Sequence, residues 1–434
     1  MKYYCIGIKG SGMSSLACLL NDLGHEVSGY DDAREHKYTE EGLEKRGIKI
    51  FYDGDNDIDN DTIVTYSKAF KPDHKEMVRV RNLGLQIKEY NEVMGDLTEM
   101  FRTVSISGTH GKTTTTTMIS KVIDNTLGCN YFIGDGTGNA NKENKIFVLE
   151  SDEFNRHFLR YSPSITVVTN IELEHTECYK DIEDIINTFE TFVNKTKEYA
   201  VLCGDNENVR KIKTDVNKIY FGFNDDNDAV IKNLILDKDG SHFDLWIDNE
   251  FYDNFDLPLY GKHMVMDATA AILVCKYIGI EKTKIHELLK EFKNAKRRFA
   301  IEEVENTTVI DDYAHHPTEI KVTLEAVKQK YPDKKLAVVF KPNTYSRTKE
   351  FYKEFADSLN LADKCFLTEI DCNRERQEDY EGASSKLIFD LLNNGEMISD
   401  ENINSLLEFK DEVVCFMSCA SIEHMRKDFI NILK

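Results

Sequence analysis

Residues 105–114, Ser-Ile-Ser-Gly-Thr-His-Gly-Lys-Thr-Thr, constrain the fold of this chain more than any other segment. An apolar β-type run precedes the glycines, and a helical pattern continues through residues 118–124. A strand, a glycine-rich turn, Lys-Thr and a helix form the arrangement that holds nucleotide phosphates. Backbone N–H groups and the helix N-terminus point at the anion, and Lys112 adds a positive charge. Only two residues separate Gly108 from Gly111, where the usual phosphate loop has more, so this spacing is the more specific signal.

Five consecutive threonines, residues 113–117, open the helix after this turn. β-Branched residues are mediocre helix formers, so helix propensity does not account for them. Hydroxyl groups close to bound phosphate and Mg²⁺ explain at least Thr113 and Thr114.

Length and charge limit the classes of protein that this chain can belong to. A chain of 434 residues is too long for one ordinary hydrophobic core and predicts about three domains. Alternating strand and helix patterns predict an α/β fold with open, mostly parallel sheets. The formal net charge of −22 argues against a nucleic acid or an anionic membrane as the partner of the whole molecule. The negative charge does not exclude ATP as a ligand, because a phosphate site needs only local positive charge.

The ten cysteines are scattered without the paired spacings of a zinc module. Free, mostly buried thiols are therefore expected, and these indicate a reducing compartment. The N-terminus lacks the apolar core of a signal peptide, and no run approaches the roughly 20 apolar residues of a membrane span. The sequence predicts a cytoplasmic protein without membrane insertion.

A second glycine-rich turn lies near the N-terminus, in residues 7–13. A strand precedes it, and a helix with leucines at helical spacing follows and ends at Gly24. A second strand ends at Asp31, as in a dinucleotide-binding βαβ unit. The glycine order is G-x-x-G-x-G instead of G-x-G-x-x-G, so NAD is a weak fit. A UDP-sugar fits the turn as well, and glycines that only allow tight packing remain an alternative.

Polar residues begin where three predicted strands stop, at the edge where ligands bind parallel sheets. Glu150 follows one apolar run and is well placed to hold a divalent cation, because hard cations prefer oxygen ligands. His175 follows the strand 165–168; a lone histidine is usually structural, but the shared edge favours a functional role. The strand 307–310 runs into Asp-Asp-Tyr-Ala-His-His-Pro at 311–317.

Together these motifs resemble the Mur ligases, the ATP-dependent amide-forming enzymes of peptidoglycan precursor synthesis. The resemblance covers essentially the whole chain and depends on Gly-Thr-His-Gly-Lys-Thr-Thr at 108–114, Thr-Asn-Ile-Glu at 169–172, Arg-Arg-Phe at 297–299 and Asp-Asp-Tyr-Ala-His-His-Pro at 311–317. It implies three α/β domains. These are an N-terminal Rossmann-like domain for a UDP-sugar (1–98), a central P-loop ATPase-like domain for ATP (99–295) and a C-terminal Rossmann-like domain that closes on the amino acid and ATP (296–434). Hinges are then expected near residues 98 and 296.

Within the family, the L-alanine-adding ligases are the most similar subgroup, because of the turn at 7–13 and the segment 311–317. The resemblance implies that the chain uses ATP and Mg²⁺ to join L-alanine to UDP-N-acetylmuramate through an acyl phosphate. It also implies a cytoplasmic monomer or weak homodimer that acts on small molecules. A ligase that recycles a tripeptide onto the same sugar nucleotide remains an alternative, as does a non-catalytic paralogue that binds nucleotide or UDP-sugar.

The resemblance also assigns site residues. The ATP-binding residues would be Gly108, Thr109, His110, Gly111, Lys112, Thr113, Thr114, Asn170, His263, Asp267, Arg298 and Asp312. The Mg²⁺ ligands would be Thr113, Glu150 and His175. The catalytic residues would be Lys112, Glu150, His175, His315 and Arg347, the last two facing the amino acid and the muramic carboxylate. The UDP-sugar would lie against Gly10, Ser11, Gly12, Met13 and Asp31.

The sequence departs from the family pattern at three places. Met264 and Asp267 stand where the family helix commonly carries two asparagines. Asparagine donates and accepts hydrogen bonds whereas ionised Asp only accepts, so Asp267 could still accept from the adenine amino group, and ATP is a less certain ligand but is not excluded. Ser-Cys-Ala at 418–420 replaces a Gly-Ala-Gly turn, and Asn-Thr at 343–344 replaces a more basic pair, which leaves Arg347 with less help.

Overall fold

The computed structural model describes residues 1–37, 39–134, 136–175, 178–295, 297–372 and 375–434. Strands and helices alternate along the chain and form three sheets, so the predicted α/β class is confirmed. The chain divides into two compact units, each with most of its contacts inside the unit. The first contains Met1–Lys232, Leu245–Asp253 and Met266–Leu289, and the second contains Asn233–Asp244, Asn254–Val265 and Lys290–Lys434.

The N-terminal sheet consists of β1 (Lys2–Ile6), β2 (Glu26–Tyr30), β3 (Lys49–Phe51), β4 (Thr62–Tyr66) and β5 (Gln86–Glu89). The helices of this region are α1 (Ser11–Asp22), α2 (Glu40–Lys45), α3 (Lys75–Asn82) and α4 (Tyr90–Met100). All pairs are parallel, in the order β3-β2-β1-β4-β5. The order reverses beside β1, so the glycine turn that follows β1 lies at the switch point where such sheets bind ligands.

Strand β1 contributes side chains to two apolar clusters, because successive side chains of a strand point to opposite faces. Tyr3 and Cys5 belong to the cluster that contains α1, whereas Tyr4 and Ile6 belong to the cluster on the other face. All four side chains are buried, as a parallel sheet covered on both faces requires.

The central sheet consists of β6 (Arg102–Ser107), β7 (Asn130–Phe132), β8 (Gly138–Asn139), β9 (Ile146–Glu150), β10 (Ile165–Val168), β11 (Tyr199–Cys203), β12 (Lys218–Gly222), β13 (Ala229–Asp237), β14 (Gly240–Ile247) and β15 (Glu250–Leu257). Its helices are α5 (Lys112–Asp124), α6 (Ile182–Val193), α7 (Glu207–Arg210), α8 (Lys262–Ile278) and α9 (Lys282–Lys290). The strand order is β15-β14-β13-β12-β11-β10-β6-β9-β7-β8. The carboxyl ends of the parallel neighbours β6, β9 and β10 therefore meet at one edge.

The antiparallel part of this sheet follows β11 and β12, which pair in parallel and extend the main sheet. Two-residue connections join β13 to β14 and β14 to β15, and only antiparallel neighbours allow such short connections. Asp248 and Asn249 in the second connection have positive φ, as a type I′ turn requires.

The C-terminal sheet consists of β16 (Ala300–Val304), β17 (Thr307–Asp312), β18 (Leu336–Phe340), β19 (Lys364–Leu367), β20 (Gly395–Met397) and β21 (Val413–Met417). Its helices are α10 (Pro317–Lys330), α11 (Tyr345–Leu359), α12 (Lys386–Phe389) and α13 (Glu423–Leu433). The order is β16-β17-β21-β18-β19-β20, in which β16 is antiparallel and the other pairs are parallel. Apolar clusters cover both faces, as in a Rossmann-like sheet.

Residue 98, where a domain boundary and hinge were predicted, lies inside helix α4. Thr98 is fully buried, and its Oγ1 accepts a hydrogen bond from the backbone N–H of Ser162 at 3.0 Å. Leu19 of α1 and Leu97 of α4 belong to the same apolar cluster as Phe147 of β9. A hinge at residue 98 would separate these packed surfaces. The second predicted boundary falls at Lys296, which lies outside the described residues.

Among the helices that the structure describes, none is both long and apolar enough to cross a membrane. All ten cysteines are free thiols, and seven of them are buried. The expectation of free, mostly buried thiols is confirmed.

Candidate active site

The turn between β6 and α5 depends on two glycines. A Cβ atom on Gly108, which has φ of +139°, would lie 2.1 Å from the Thr169 hydroxyl. Gly111 has φ of +82°, a conformation that side chains disfavour, and it caps α5. Helix α5 therefore begins at Lys112 and leaves its first N–H groups without partners inside the helix. N–H groups at a helix N-terminus can bind an anion, so the end of β6 is a candidate anion site.

The segment after β10 makes hydrogen bonds to the backbone of this turn. The Asn170 side chain accepts a hydrogen bond from the His110 N–H at 2.9 Å and donates one to the His110 carbonyl at 3.0 Å. Thr109 N–H donates to the Asn170 carbonyl at 3.0 Å. The His110 ring lies 3.4 Å from the Glu172 carboxylate. Asn170, which the sequence assigned to the nucleotide, thus fixes the shape of the phosphate turn in this structure.

Lys112 makes an ion pair that the sequence interpretation missed. Its Nζ atom lies 2.9 Å from the Glu153 carboxylate and donates to the carbonyls of Gly108 and Thr109 at 2.5 and 3.1 Å. The Glu153 side chain is 4% exposed. Burial by itself would lower the pKa of Lys112, but the carboxylates of Glu153 and Asp152 raise the pKa well above its usual value. The lysine is therefore charged, with its three N–H bonds directed at protein acceptors.

Thr113 and Glu150 form an oxygen-rich pair at the start of α5. The Thr113 hydroxyl donates to Glu150 Oε1 at 3.0 Å, and the Gly134 N–H donates to Glu150 Oε2 at 2.6 Å. Thr113 and Thr114 are both buried in the first turn of the helix. A hydroxyl and a carboxylate are the hard oxygen donors that Mg²⁺ prefers, so this pair fits the predicted cation.

His175 lies beside the lysine–carboxylate pair. Its Nε2 atom is 3.7 Å from Glu153 Oε1, and its ring packs edge-on against Phe154 with centroids 5.1 Å apart. Ligand atoms of Asp152, Glu153 and His175 all lie within 4.8 Å of one another. The structure therefore groups His175 with Glu153 and Asp152, while Thr113 is grouped with Glu150.

Asp267, one of the departures from the family pattern, lies against the phosphate turn. A Cβ atom on Gly111 would be 2.5 Å from Asp267 Oδ1. The Asp267 side chain is 7% exposed, and it lies on helix α8 within the first unit. This substitution therefore places a carboxylate next to the turn that is built to hold an anion.

The N-terminal glycine turn begins helix α1. Gly10 is the N-cap of α1 in an extended conformation, and the helix starts at Ser11. A Cβ atom on Gly12 would meet the Tyr90 hydroxyl at 3.5 Å, and Met13 is buried. The predicted UDP-sugar residues 10–13 thus form the first turn of α1 and its cap.

Asp31 and Lys9 tie this turn to the segment that follows β2. The Asp31 carboxylate accepts from the N–H groups of Lys9 and Ala33 at 2.9 and 3.0 Å. The Lys9 ammonium lies 2.7 Å from Glu40 Oε1 and donates to the carbonyls of Ala33 and Glu35 at 2.8 and 2.7 Å. Lys9 is 1% exposed, although the glycine pattern treats this position as variable. Local sequence gave no signal for its partners, which come from a distant segment.

In the second unit, Asp312 is the last residue of β17, His315 follows it, and Arg298 lies just before β16. The Asp312 carboxylate accepts from the N–H groups of Phe299 and Ala314 at 2.7 and 2.8 Å. Burial raises the pKa of Asp312 to about 6, against the opposing effect of Arg298. The Arg298 guanidinium lies 4.9 Å from the centre of the Tyr313 ring, and His315 Nδ1 is 3.0 Å from the Tyr313 carbonyl. Arg298 and His315 therefore both lie against the Tyr313 ring, which follows Asp312 in the sequence.

Arg347 and His263 are at the beginnings of helices in the second unit. Arg347 is half-buried in the first turn of α11, next to Ser346, whose N–H donates to Glu375 at 3.0 Å. His263 lies in the first turn of α8, and burial lowers its pKa to about 4. The imidazole of His263 is therefore neutral at pH 7.

The turn at residues 418–420 needs no glycine in this chain. None of Ser418, Cys419 and Ala420 has a positive φ. Instead, the Ser418 hydroxyl donates to the Lys341 carbonyl at 2.8 Å and accepts from the Ala420 N–H at 3.0 Å. A side-chain hydrogen bond therefore closes the turn, so the substitution causes no backbone strain.

Comparison with known proteins accounts for this combination of sheets and turns. Residues 2–102 match the model described as "Mur ligase family, catalytic domain", residues 106–275 match "Mur ligase middle domain", and residues 297–416 match "Mur ligase, glutamate ligase domain". The three matches follow one another along the chain and confirm the three-domain α/β organisation.

Solved structures give the same result. UDP-N-acetylmuramate-alanine ligase MurC from Thermotoga maritima is 25% identical, with a TM-score of 0.81 and coverage of 100% of this chain and 99% of that chain. A murein peptide ligase from Psychrobacter arcticus is 21% identical, with a TM-score of 0.69 and coverage of 100% and 98%. A MurF ligase from Thermotoga maritima in complex with ADP is 18% identical, with a TM-score of 0.66 and coverage of 94% and 95%. With all three domain models matched in order, this chain belongs to the Mur ligase family, the ATP-dependent amide ligases of peptidoglycan precursor synthesis.

Proposed function

We propose that this ligase joins L-alanine to UDP-N-acetylmuramate, with ATP converted to ADP and phosphate. The observation that carries the proposal is the similarity to the alanine ligase from Thermotoga maritima, which extends over the whole chain with a TM-score of 0.81. The glycine turn at the switch point of the first sheet supports a sugar nucleotide in that domain.

A carboxylate is a poor acyl donor, because attack on it must expel oxide. In the proposed reaction the muramic carboxylate attacks the γ-phosphorus of ATP, the bond to the β-phosphate oxygen breaks, and ADP leaves. The amine of L-alanine then attacks the acyl phosphate carbonyl, loses a proton and expels inorganic phosphate. Positioning and charge neutralisation would supply most of the catalysis.

The residues around the phosphate turn have distinct roles in this proposal. Lys112 would exchange its Glu153 partner for the β- and γ-phosphates, and the N–H groups of the turn would bind phosphate oxygens. Thr113 and Glu150 would hold Mg²⁺, and His175 would hold a second ion near the acyl phosphate. Bound Mg²⁺ supplies charge neutralisation on the phosphate oxygens.

The predicted residues of the second unit also have roles in this proposal. Asp312 and Arg298 would bind the ribose and the phosphates, and neutral His263 would lie at the nucleotide. His315 would face the amino acid, and Arg347 would pair with a substrate carboxylate, which a planar guanidinium binds well. Asn170 would contribute through the shape of the phosphate turn.

A tripeptide is the alternative amine donor. The full-length similarity to a murein peptide ligase favours this second candidate, although the identity and TM-score are both lower than for the alanine ligase. Both reactions use the same sugar nucleotide and differ only in the acceptor amine.

The test is to incubate the purified protein with ATP, Mg²⁺ and UDP-N-acetylmuramate, and to add L-alanine, glycine, L-serine or the tripeptide in parallel. Phosphate release and product mass are measured, with Lys112→Met as the inactive control. A product one alanine residue heavier supports the proposal, and a tripeptide product without an alanine product overturns it in favour of recycling. If none of these amines raises phosphate release above the Lys112→Met background, the result supports the non-catalytic alternative.

We also propose that the reaction takes place in the cytoplasm. The requirement for ATP supports this location, as do the ten free cysteines, which are typical of a reducing compartment.

A further inference from the structure

A short turn connects β7 to β8 and lies between two parts of the first unit. We call residues 133–137 the linking turn; its Asp135 lies outside the described residues. The Ile133 N–H donates to the Thr137 carbonyl at 2.8 Å and closes the turn. Strand β7 pairs in parallel with β9, with Phe132 opposite Leu149. The linking turn therefore leaves the sheet beside Glu150, the last residue of β9.

One side of the linking turn holds the carboxylate of Glu150. The Gly134 N–H donates to Glu150 Oε2 at 2.6 Å, while Glu150 Oε1 accepts from the Thr113 hydroxyl at 3.0 Å. A Cβ atom on Gly134 would lie 2.4 Å from Glu150 Oε1 and 2.7 Å from Glu150 Cδ. Only a residue without a side chain lets the backbone approach the carboxylate this closely, so Gly134 is matched to Glu150.

The other side of the linking turn is held by helix α1. The Ser15 hydroxyl donates to the Gly136 carbonyl at 2.8 Å and lies 3.0 Å from the Ser11 carbonyl. Ser15 is 2% exposed, and Ser11 is the first residue of α1. The first turn of α1 and the Glu150 carboxylate are therefore both held by hydrogen bonds to the linking turn.

We propose that the linking turn positions the carboxylate of Glu150 and couples it to helix α1. Gly134 and Ser15 are the positioning residues. This inference rests on the proposed function, in which Glu150 holds the cation and the first turn of α1 binds the sugar nucleotide. A ligand that fixes α1 then also fixes the turn and the orientation of Glu150. Because coupling between two binding sites is reciprocal, the sugar nucleotide and the cation–nucleotide complex should tighten each other by the same factor.

The experiment measures binding and not turnover. Mn²⁺ is titrated by electron paramagnetic resonance into the full-length protein with a non-hydrolysable ATP analogue, with and without UDP-N-acetylmuramate. Gly134→Ala should weaken Mn²⁺ binding by about tenfold or more, as displacement of a group that orients a metal ligand does. Gly138→Ala is the matched control, because its Cβ atom would meet no atom closer than 3.6 Å. Equal Mn²⁺ affinities of the two alanine variants would overturn the proposal.

Ser15→Ala tests the coupling by a route that does not crowd the carboxylate. It removes the hydrogen bond to Gly136 and should bring the factor by which UDP-N-acetylmuramate tightens Mn²⁺ close to one. A factor that equals the wild-type value would also overturn the proposal. Thermal unfolding of each variant checks that the fold is retained.

Glu150→Gln separates failure of this inference from failure of the function on which it rests. If Glu150→Gln weakens Mn²⁺ binding and Gly134→Ala does not, the linking turn has no positioning role while Glu150 remains the cation ligand. If Glu150→Gln leaves Mn²⁺ affinity unchanged, the cation assignment in the proposed function is wrong, and the inference falls with it.

Discussion

The Nζ atom of Lys112 lies 2.9 Å from the carboxylate of Glu153, and both side chains are mostly buried. Forty-one positions separate the two residues in the sequence, yet parallel pairing of β6 and β9 brings the ends of the strands together. Lys112, the predicted phosphate-binding lysine, therefore has a negative partner within the protein itself. Binding of ATP would replace one anionic partner by another.

Lys112→Met tests the importance of this pair for stability. The variant leaves the buried Glu153 carboxylate without its cation, which should lower the free energy of unfolding by about 3 kcal/mol. Urea denaturation measures the loss, and turnover should be abolished because the phosphate contact is lost. Lys142→Met is the control, since Lys142 is exposed. A denaturation midpoint equal to that of the control would contradict the buried ion pair.

Thr115→Val tests whether every hydroxyl in the threonine run is functional. Among the described residues, Thr115 Oγ1 is buried and has no hydrogen-bond partner, whereas the Thr113 hydroxyl bonds to Glu150. Removal of an unsatisfied buried hydroxyl should raise the free energy of unfolding by about 1 kcal/mol. Thr113→Val should instead weaken Mg²⁺-dependent turnover. Thermal unfolding and a Mg²⁺ titration measure the two effects, and a destabilised Thr115→Val would refute the first.

Asp267→Asn tests the effect of the carboxylate beside Gly111. Removal of a negative charge near the phosphate turn should lower the KM for ATP by about fivefold, which corresponds to about 1 kcal/mol at an intermediate effective dielectric constant. The KM for UDP-N-acetylmuramate is the internal control. The sequence suggested a different role, in which Asp267 accepts a hydrogen bond from adenine. A higher KM for ATP in the variant would support that role and contradict the electrostatic one.

Asp312→Asn tests the raised pKa of a buried carboxyl. The pKa of Asp312 is about 6 in the folded protein and about 3.8 as an ordinary value. The folded state therefore binds a proton more tightly, so this group stabilises the fold at low pH and that stability is lost as the pH rises from about 4 to about 6. The loss is at most about 3 kcal/mol. Denaturation midpoints of wild type and variant at pH 4.5 and 7.5 measure it, and a difference that does not change with pH would count against it.

Lys9→Met tests the buried cation near the N-terminal turn. The variant leaves Glu40 without its partner and should lower stability by about 3 kcal/mol. It should also raise the KM for UDP-N-acetylmuramate but leave the KM for ATP unchanged, because Lys9 holds Ala33, Glu35 and Glu40 beside the glycine turn. Lys2→Met is the control: Lys2 pairs with Asp59 at the surface, where solvent screens the pair, so its loss should cost far less than the loss of Lys9. An equal change in both KM values would indicate general damage to the fold.

Much of the secondary structure could be predicted, because strands and helices carry local patterns. The strand 165–168 was predicted with the same bounds as the structure has, and the strand predicted at 307–310 extends to Asp312. The helix after the N-terminal glycine turn begins at Ser11, before the first leucine of its pattern, because backbone hydrogen bonds and not apolar spacing define its start. The pairing of β11 and β12 could not be predicted, since strand direction depends on how the intervening chain returns to the sheet.

The sequence by itself determined the phosphate turn, the α/β class and the family. These properties are local: two glycines with positive φ, a lysine and a threonine must follow a strand directly, and the resulting motif is readable as a string. Only the tertiary structure decided which side chains meet at that turn. The contacts at the turn join distant segments: Glu153 with Lys112, Asp267 with Gly111, and Gly134 with Glu150. The order of strands in the central sheet brings most of these residues together, and no local pattern encodes that order.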